Sequence, residues 1–153
     1  MQKRKVQSIV EVLQKKVRES GNDGLHMKAL GNMKSSAFAL DSMGEGLKVK
    51  QLGDFVLEWS HFQKIIKKAN ALGGKMYRGD ELAQKGATLG DEISYDCMEG
   101  FIASELLNAE EGSFVTRRST YYSGILAWAG IISLHKSEGK GSYIMVTPAY
   151  RDF

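Results

Sequence analysis

The sequence predicts an α+β protein that is mainly α, with one small β-hairpin near its end. Two observations carry that expectation. Apolar residues recur at helical spacing in four stretches, and residues 132–147 hold two alternating runs joined by a polar, glycine-containing loop. At 153 residues the chain is long enough for one domain, or for two small ones sharing a core, and it can bury roughly 70% of its unfolded surface.

Taken in order, Val6, Ile9, Val10, Leu13 and Val17 fall on one helical stripe that Gly21 ends. Residues 21–46 are rich in Gly, Ser and Met, and the pattern leaves the piece at Ser36–Leu40 open between helix and strand. Leu52, Phe55, Val56, Trp59, Phe62, Ile66 and Ala69 predict a long central helix stopped by Gly73 and Gly74. Lys75 to Arg78 read as a short strand, and Asp80 as the cap of a short helix ending before Gly86. A third helix is expected from Asp91 to Ala109. Its apolar side holds Ile93, Cys97, Phe101, Ile102, Leu106 and Ala109, and its polar side Asp91, Glu92, Asp96, Glu99 and Glu105. The stretch "GSFVTRR" offers a short extended piece, and Ser119 to Ile131 a fourth helix. The chain thus divides into an N-terminal helical region, 1–74, with the long central helix, and a C-terminal part, 75–153, which can share one core with it.

Composition excludes several classes. Cys97 is alone, so it forms neither an internal disulfide nor a paired-thiol metal or redox motif, which points to a reducing compartment. Charges interrupt "MQKRKVQSIVEVLQKKV" every few residues, leaving no signal-peptide core and no membrane span, so a cytoplasmic protein without a membrane partner is expected. The formal charge of +3 argues only weakly for nucleic acid.

From Asp91 onward the elements run helix, short strand, helix, strand, loop, strand. With "YDCMEGFIASELL" as first helix, "GSFVTRR" as first strand, "STYYSGILAWAGII" as recognition helix and "LHKSEGKGSYIMVT" as wing, residues 91–147 resemble the winged-helix DNA-binding superfamily. One feature departs from it: the family usually has a separate second helix between first strand and recognition helix, and here there is little room for one, so either the "GDELAQKG" helix takes its place from upstream or the turn is abbreviated. The resemblance implies a C-terminal winged-helix domain packed on the N-terminal region, with duplex DNA as partner. It also implies contact through Arg117, Arg118, Ser119, Thr120, Tyr121 and Ser123 at the helix start and through Lys136 and Lys140 on the wing. Tyr122, Ile125, Leu126, Ala129 and Ile132 are expected in the core, with Trp128 buried or half-buried.

"GDELAQKGATLGDEISYDCMEGFI" can also be read as helix, turn, helix, with Asp91 to Leu107 on the DNA. Its carboxylates would repel phosphate, so the acidic helix is read as a support or as a surface for a basic protein partner. Plainer readings stand beside the functional ones. Glu110 and Glu111 can pair with Arg117 and Arg118, and Lys136 and Lys140 can simply protect a sheet edge. Lys3, Arg4 and Lys5 can be a solubilising tail. Lys64, Lys67, Lys68, Lys75 and Arg78 can form a second basic patch or ordinary surface charge. The first helix can be a dimer seam, or pack onto its own chain.

No catalytic motif is complete. "GKGS" at Gly139 has Leu134 where a P-loop needs glycine, and "GEGLKV" at Gly44 lacks the third glycine of a dinucleotide turn. His26, His61 and His135 stand singly, giving no zinc spacing. Glu138-Gly139-Lys140 lies at a hairpin tip, a poor place for a nuclease metal, and Cys97 falls on an apolar face. No catalytic residue, metal or cofactor is therefore assigned. The leading expectation is a non-enzymatic duplex DNA-binding protein, a regulator or recognition component. A winged-helix protein adaptor comes next, and an unrecognised hydrolase or nuclease last.

Overall fold

Helix α1, Ile9–Glu19, turns Ile9, Val12, Leu13 and Val17 inward and leaves Lys15, Lys16 and Arg18 exposed. The computed structural model describes residues 8–19, 25–27, 36–40, 45–49, 52–139 and 141–153, with 25–27 and 36–40 described by backbone alone. Among these residues the protein is α+β, with five α-helices and two small antiparallel sheets.

The N-terminal part is not purely helical, as the spacing suggested. Strands β1 (Leu25–Met27), β2 (Ser36–Leu40), β3 (Gly46–Val49) and β4 (Val56–Glu58) form an antiparallel meander in that order. The central helix, α2, is correspondingly shorter and spans Trp59–Ala71. Its expected first turn belongs to β4, where Leu57 is buried between half-buried neighbours and pairs with Leu47. Val56 and Trp59 are also three apart, so the period-two signal was masked by an accidental helical one. β3 and β4 approach so closely that a Cβ on Gly46 would overlap the Leu57 backbone. At its far end α2 closes as expected: Gly73 and Gly74 take φ of 93° and 89°, and their N–H groups donate to the carbonyls of Asn70 and Ala69.

The second sheet holds β5 (Lys75–Tyr77), β6 (Ile132–Ser137) and β7 (Gly141–Val146), in the order β5-β7-β6. The expected hairpin is β6–β7, and β5 adds to its free side with Met76 opposite Ile144. Between β5 and β6 lie α3 (Asp80–Gln84), α4 (Met98–Phe101) continuing into a π-helical turn (Ile102–Leu106), and α5 (Ser119–Trp128). The helix expected from Asp91 begins only at Met98, because the Cys97 thiol caps it, accepting from the Gly100 N–H at 3.5 Å. "GSFVTRR" makes no strand beyond a single bridge, Phe114 to Thr88. α5 stops before Ile131 because Gly130, at φ 78°, allows the Ile131 N–H to reach back to the Leu126 carbonyl.

One apolar cluster joins the two parts of the chain. Ile9, Leu13, Leu47, Leu57, Phe62, Ile66, Tyr122, Ile125 and Ile144 meet in it, so burial of α1's stripe comes from its own chain. A smaller cluster, including Leu89, Ile93, Cys97 and Val115, sits under the loop between α3 and α4. Burial pushes the Cys97 thiol pKa up, leaving it a small apolar group. Among the described residues no helix is long and apolar enough to cross a membrane.

Candidate functional site

The start of α5 is the place to test first, since its unpaired N–H groups would be the natural seat for a phosphate. No residue of the entering loop caps it by side chain. Glu99 of α4 does so from outside. Its carboxylate accepts from the N–H of Arg118 at 2.9 Å, from the N–H of Ser119 at 3.1 Å and from the Ser119 hydroxyl at 2.7 Å. Glu99 is fully buried, which pushes its pKa up, while the bonds from Arg118 and Ser119 pull it back toward ionisation. A protein carboxylate thus fills the position that an incoming phosphate would need.

The arginines are drawn into the same network. Arg78, almost fully buried, donates through Nη2 to the Thr120 hydroxyl at 2.8 Å and lies 3.4 Å from Asp80 Oδ2. Arg117 Nη2 stands 3.8 Å from that oxygen, so its acidic partner is Asp80 rather than the expected Glu110 or Glu111. Arg118 lays its guanidinium 3.9 Å over the Phe55 ring. Burial lowers the Arg78 pKa, against the pull of Asp80 and Glu99.

These placements correct several expectations. Ser119, Thr120 and Ser123 are buried, and the Ser123 hydroxyl donates to the Ser119 carbonyl at 2.6 Å, so none faces a groove. Tyr121 is half-buried against the core, and Tyr122 lies within it, its hydroxyl 2.8 Å from His61 Nδ1. Tyr121, Ala127 and Trp128 are the half-buried residues of α5, the rest being buried, and all three pack on the core. The physical reason is that α5 has apolar residues around most of its circumference, and the N-terminal elements cover the side left open by the second sheet. Arg78 belongs to this interior, not to a basic patch. Lys136 is exposed on the hairpin, whereas Lys140, Lys3, Arg4 and Lys5 lie outside the described residues.

Two surfaces unforeseen in the sequence come forward instead. The first is the outer face of the second sheet, where register sets Lys75, Tyr77, Tyr143, Met145 and His135 together. The Tyr77 and Tyr143 rings are 5.5 Å apart, and His135 stacks on Tyr143 at 5.1 Å. Lys136 falls on the opposite face of its strand, paired with Ser142. Alternation within "SLHKS" and "SYIMV" signalled this grouping, but nothing signalled that β5 pairs with β7.

The second surface is the edge at residues 110–114. The bonds Leu89 N–H to Ser113 carbonyl and Val115 N–H to Ala87 carbonyl fix the backbone on both sides of Phe114. Its neighbour Val115 points into the core, and Phe114 itself is 77% exposed. Nearby, the Glu92 carboxylate accepts from the N–H and hydroxyl of Thr88, the bridge partner of Phe114, and Glu111, three residues before Phe114, is bonded to the Tyr95 hydroxyl. Residues 80–111 hold nine acidic side chains against Lys85 alone; that makes −8, and with +3 overall it leaves +11 on the remainder of the chain.

A cleft of about 400 Å³ between α3 and the hairpin turn is lined by Tyr77, Asp80, Glu81, Leu82 and Lys85 together with turn glycines. Its lining holds, among the described residues, no histidine, cysteine, serine or threonine beside the carboxylates, one of which is already paired with arginine. Among the described residues no three histidines, cysteines or carboxylates gather in a way that could hold a metal ion. No family model, no curated protein and no solved structure matches the chain.

Proposed function

We propose that this chain is a non-enzymatic adaptor, a winged-helix scaffold that binds a basic protein partner through its acidic edge. The scaffold reading is supported by element order. α2, β5, α3, the helical segment 98–106, α5 and the β6–β7 hairpin run helix, strand, two short helices, helix, wing, starting one helix earlier than the sequence spacing suggested. That shift supplies the separate second helix for which the sequence left no room. The binding face of the leading sequence reading, duplex DNA on the tip of α5, is occupied by Glu99, and its arginines are turned to Asp80 and Phe55. The adaptor reading needs none of those groups.

The observation that carries it is Phe114, held outward on hydrogen-bonded backbone at 77% exposure and lying just after the acidic segment 80–111. Large exposed aromatic side chains on a rigid support act as interface anchors, and surrounding charge selects the sign of the partner. Calorimetric titration with a peptide alternating lysine and leucine is expected to show saturable binding that weakens with salt. Phe114→Ser is expected to lose about tenfold or more in affinity while keeping its circular dichroism. Unchanged affinity in that variant would remove the proposed edge. Duplex DNA binding with a log–log salt slope of about −3 to −4 would instead restore the DNA reading.

A further inference from the structure

We infer that the outer face of the β5-β7-β6 sheet is a second binding surface, and that its ligand is single-stranded nucleic acid. The three strands put their apolar side chains, Met76, Ile132, Leu134, Ile144 and Val146, on the inner face. The aromatic residues of the same strands stand on the other face, where Tyr77 is half-buried against the smaller core cluster. Tyr77 from β5, Tyr143 from β7 and His135 from β6 form a row across the strands, with centroid separations of 5.5 and 5.1 Å. Lys75 reaches over this row, its Nζ 4.3 Å from the Tyr143 centroid and 5.1 Å from that of Tyr77. Beside them Met145, 39% exposed, and the Ser133 hydroxyl, 2.8 Å from His135 Nε2, complete a surface of flat rings, one cation and small polar groups.

Rings beside an ammonium group suit a ligand that offers π-faces and negative charge together. Nucleic acid offers both, but a duplex hides its base faces in the stack, whereas a single strand exposes them. A base can then stack on the face of His135 turned away from Tyr143, or take the place of Lys75 on the Tyr143 ring, while the Lys75 ammonium meets the backbone phosphate. The acidic helix α3 meets this sheet at the Gly141 end of β7, where the Glu81 carboxylate lies, so the ligand's phosphate is assigned to the opposite end, where Lys75 pairs with Met145. This surface shares no residue with the Phe114 edge.

The test is fluorescence anisotropy of the full chain with a labelled oligothymidine and with a duplex of the same length. Saturable binding of the single strand, tighter than that of the duplex, is expected. Tyr143→Ala should weaken it about tenfold, as loss of one stacking partner does, and Lys75→Ala should lower the salt slope by about 0.7. If Tyr143→Ala disturbs the sheet by circular dichroism, His135→Ala at the β6 edge is read in its place. No anisotropy change at low salt, equal affinity for the duplex, or unchanged binding in the ring and lysine variants each overturns the assignment. None of these outcomes depends on Phe114→Ser.

Discussion

Two places in this protein put a cation over an aromatic ring, and they do opposite things. At the start of α5, Arg118 covers Phe55 at 3.9 Å, with Glu99, Arg78, Asp80 and Thr120 interlocked around it and largely out of solvent. On the second sheet an exposed Lys75 covers the half-buried Tyr143 at 4.3 Å, and His135 stacks on the same ring. The first arrangement turns its charged groups toward one another, although Arg78 Nε, Asp80 Oδ1, Arg117 Nε and Arg118 Nε lie buried there without a hydrogen-bond partner among the described residues; the second leaves its ammonium group at the surface. A basic residue beside an aromatic one is therefore no evidence of function until the fate of the surrounding carboxylates is known. Removing Glu99 should hurt folding, and removing Lys75 should hurt only binding.

The largest effect is expected at Glu99. Glu99→Ala strips the caps from two buried N–H groups and leaves Arg78 short of a counter-charge, so urea denaturation should show a loss of about 3–5 kcal/mol. Glu99→Gln, which keeps an acceptor oxygen, should cost clearly less. If Glu99→Ala unfolds no more readily than the parent, the contrast with the sheet face fails. Next comes Thr120→Val, which keeps the shape but removes the acceptor of the Arg78 bond and should cost about 1–3 kcal/mol. Lys75→Ala, by contrast, should stay within about 0.5 kcal/mol of the parent.

The smallest effect is a pH dependence behind α5. His61 is held between Tyr122, 2.8 Å from Nδ1, and Glu58, 3.0 Å from Nε2. Burial lowers its pKa below 6.5, with the Glu58 carboxylate opposing and Lys64 assisting. The folded imidazole thus holds a proton less tightly than the unfolded one. Its stabilising share is present above pH 6.5 and is lost as pH falls from there toward the lowered value. Melting temperatures of the parent should fall through that window, and those of His61→Gln should fall less. Parallel curves would place the titration elsewhere.

Much of the fold was legible because its signals are local. The stripe of α1, the glycine stop of α2 and the alternation of β6 and β7 each follow from side-chain period and backbone freedom over a few residues. Local signals also misled where two periods overlap, as at Val56 and Trp59, and where a cap is a thiol, as at Cys97. By period alone Glu99 falls on the polar side of its helix; residues 98–103 are nevertheless all buried, because the start of α5 covers that side and bonds to the carboxylate.

The sequence by itself determined an α+β chain with a terminal hairpin, a buried lone cysteine and a segregated block of acid between residues 80 and 111. Tertiary structure decided which charged groups are spent and which remain available. That choice rests on pairings distant along the chain, Glu99 with Ser119, Asp80 with Arg117 and Lys75 with Tyr143. Desolvation attaches a cost to every unpaired polar group brought inside, and only the assembled core determines which groups those are.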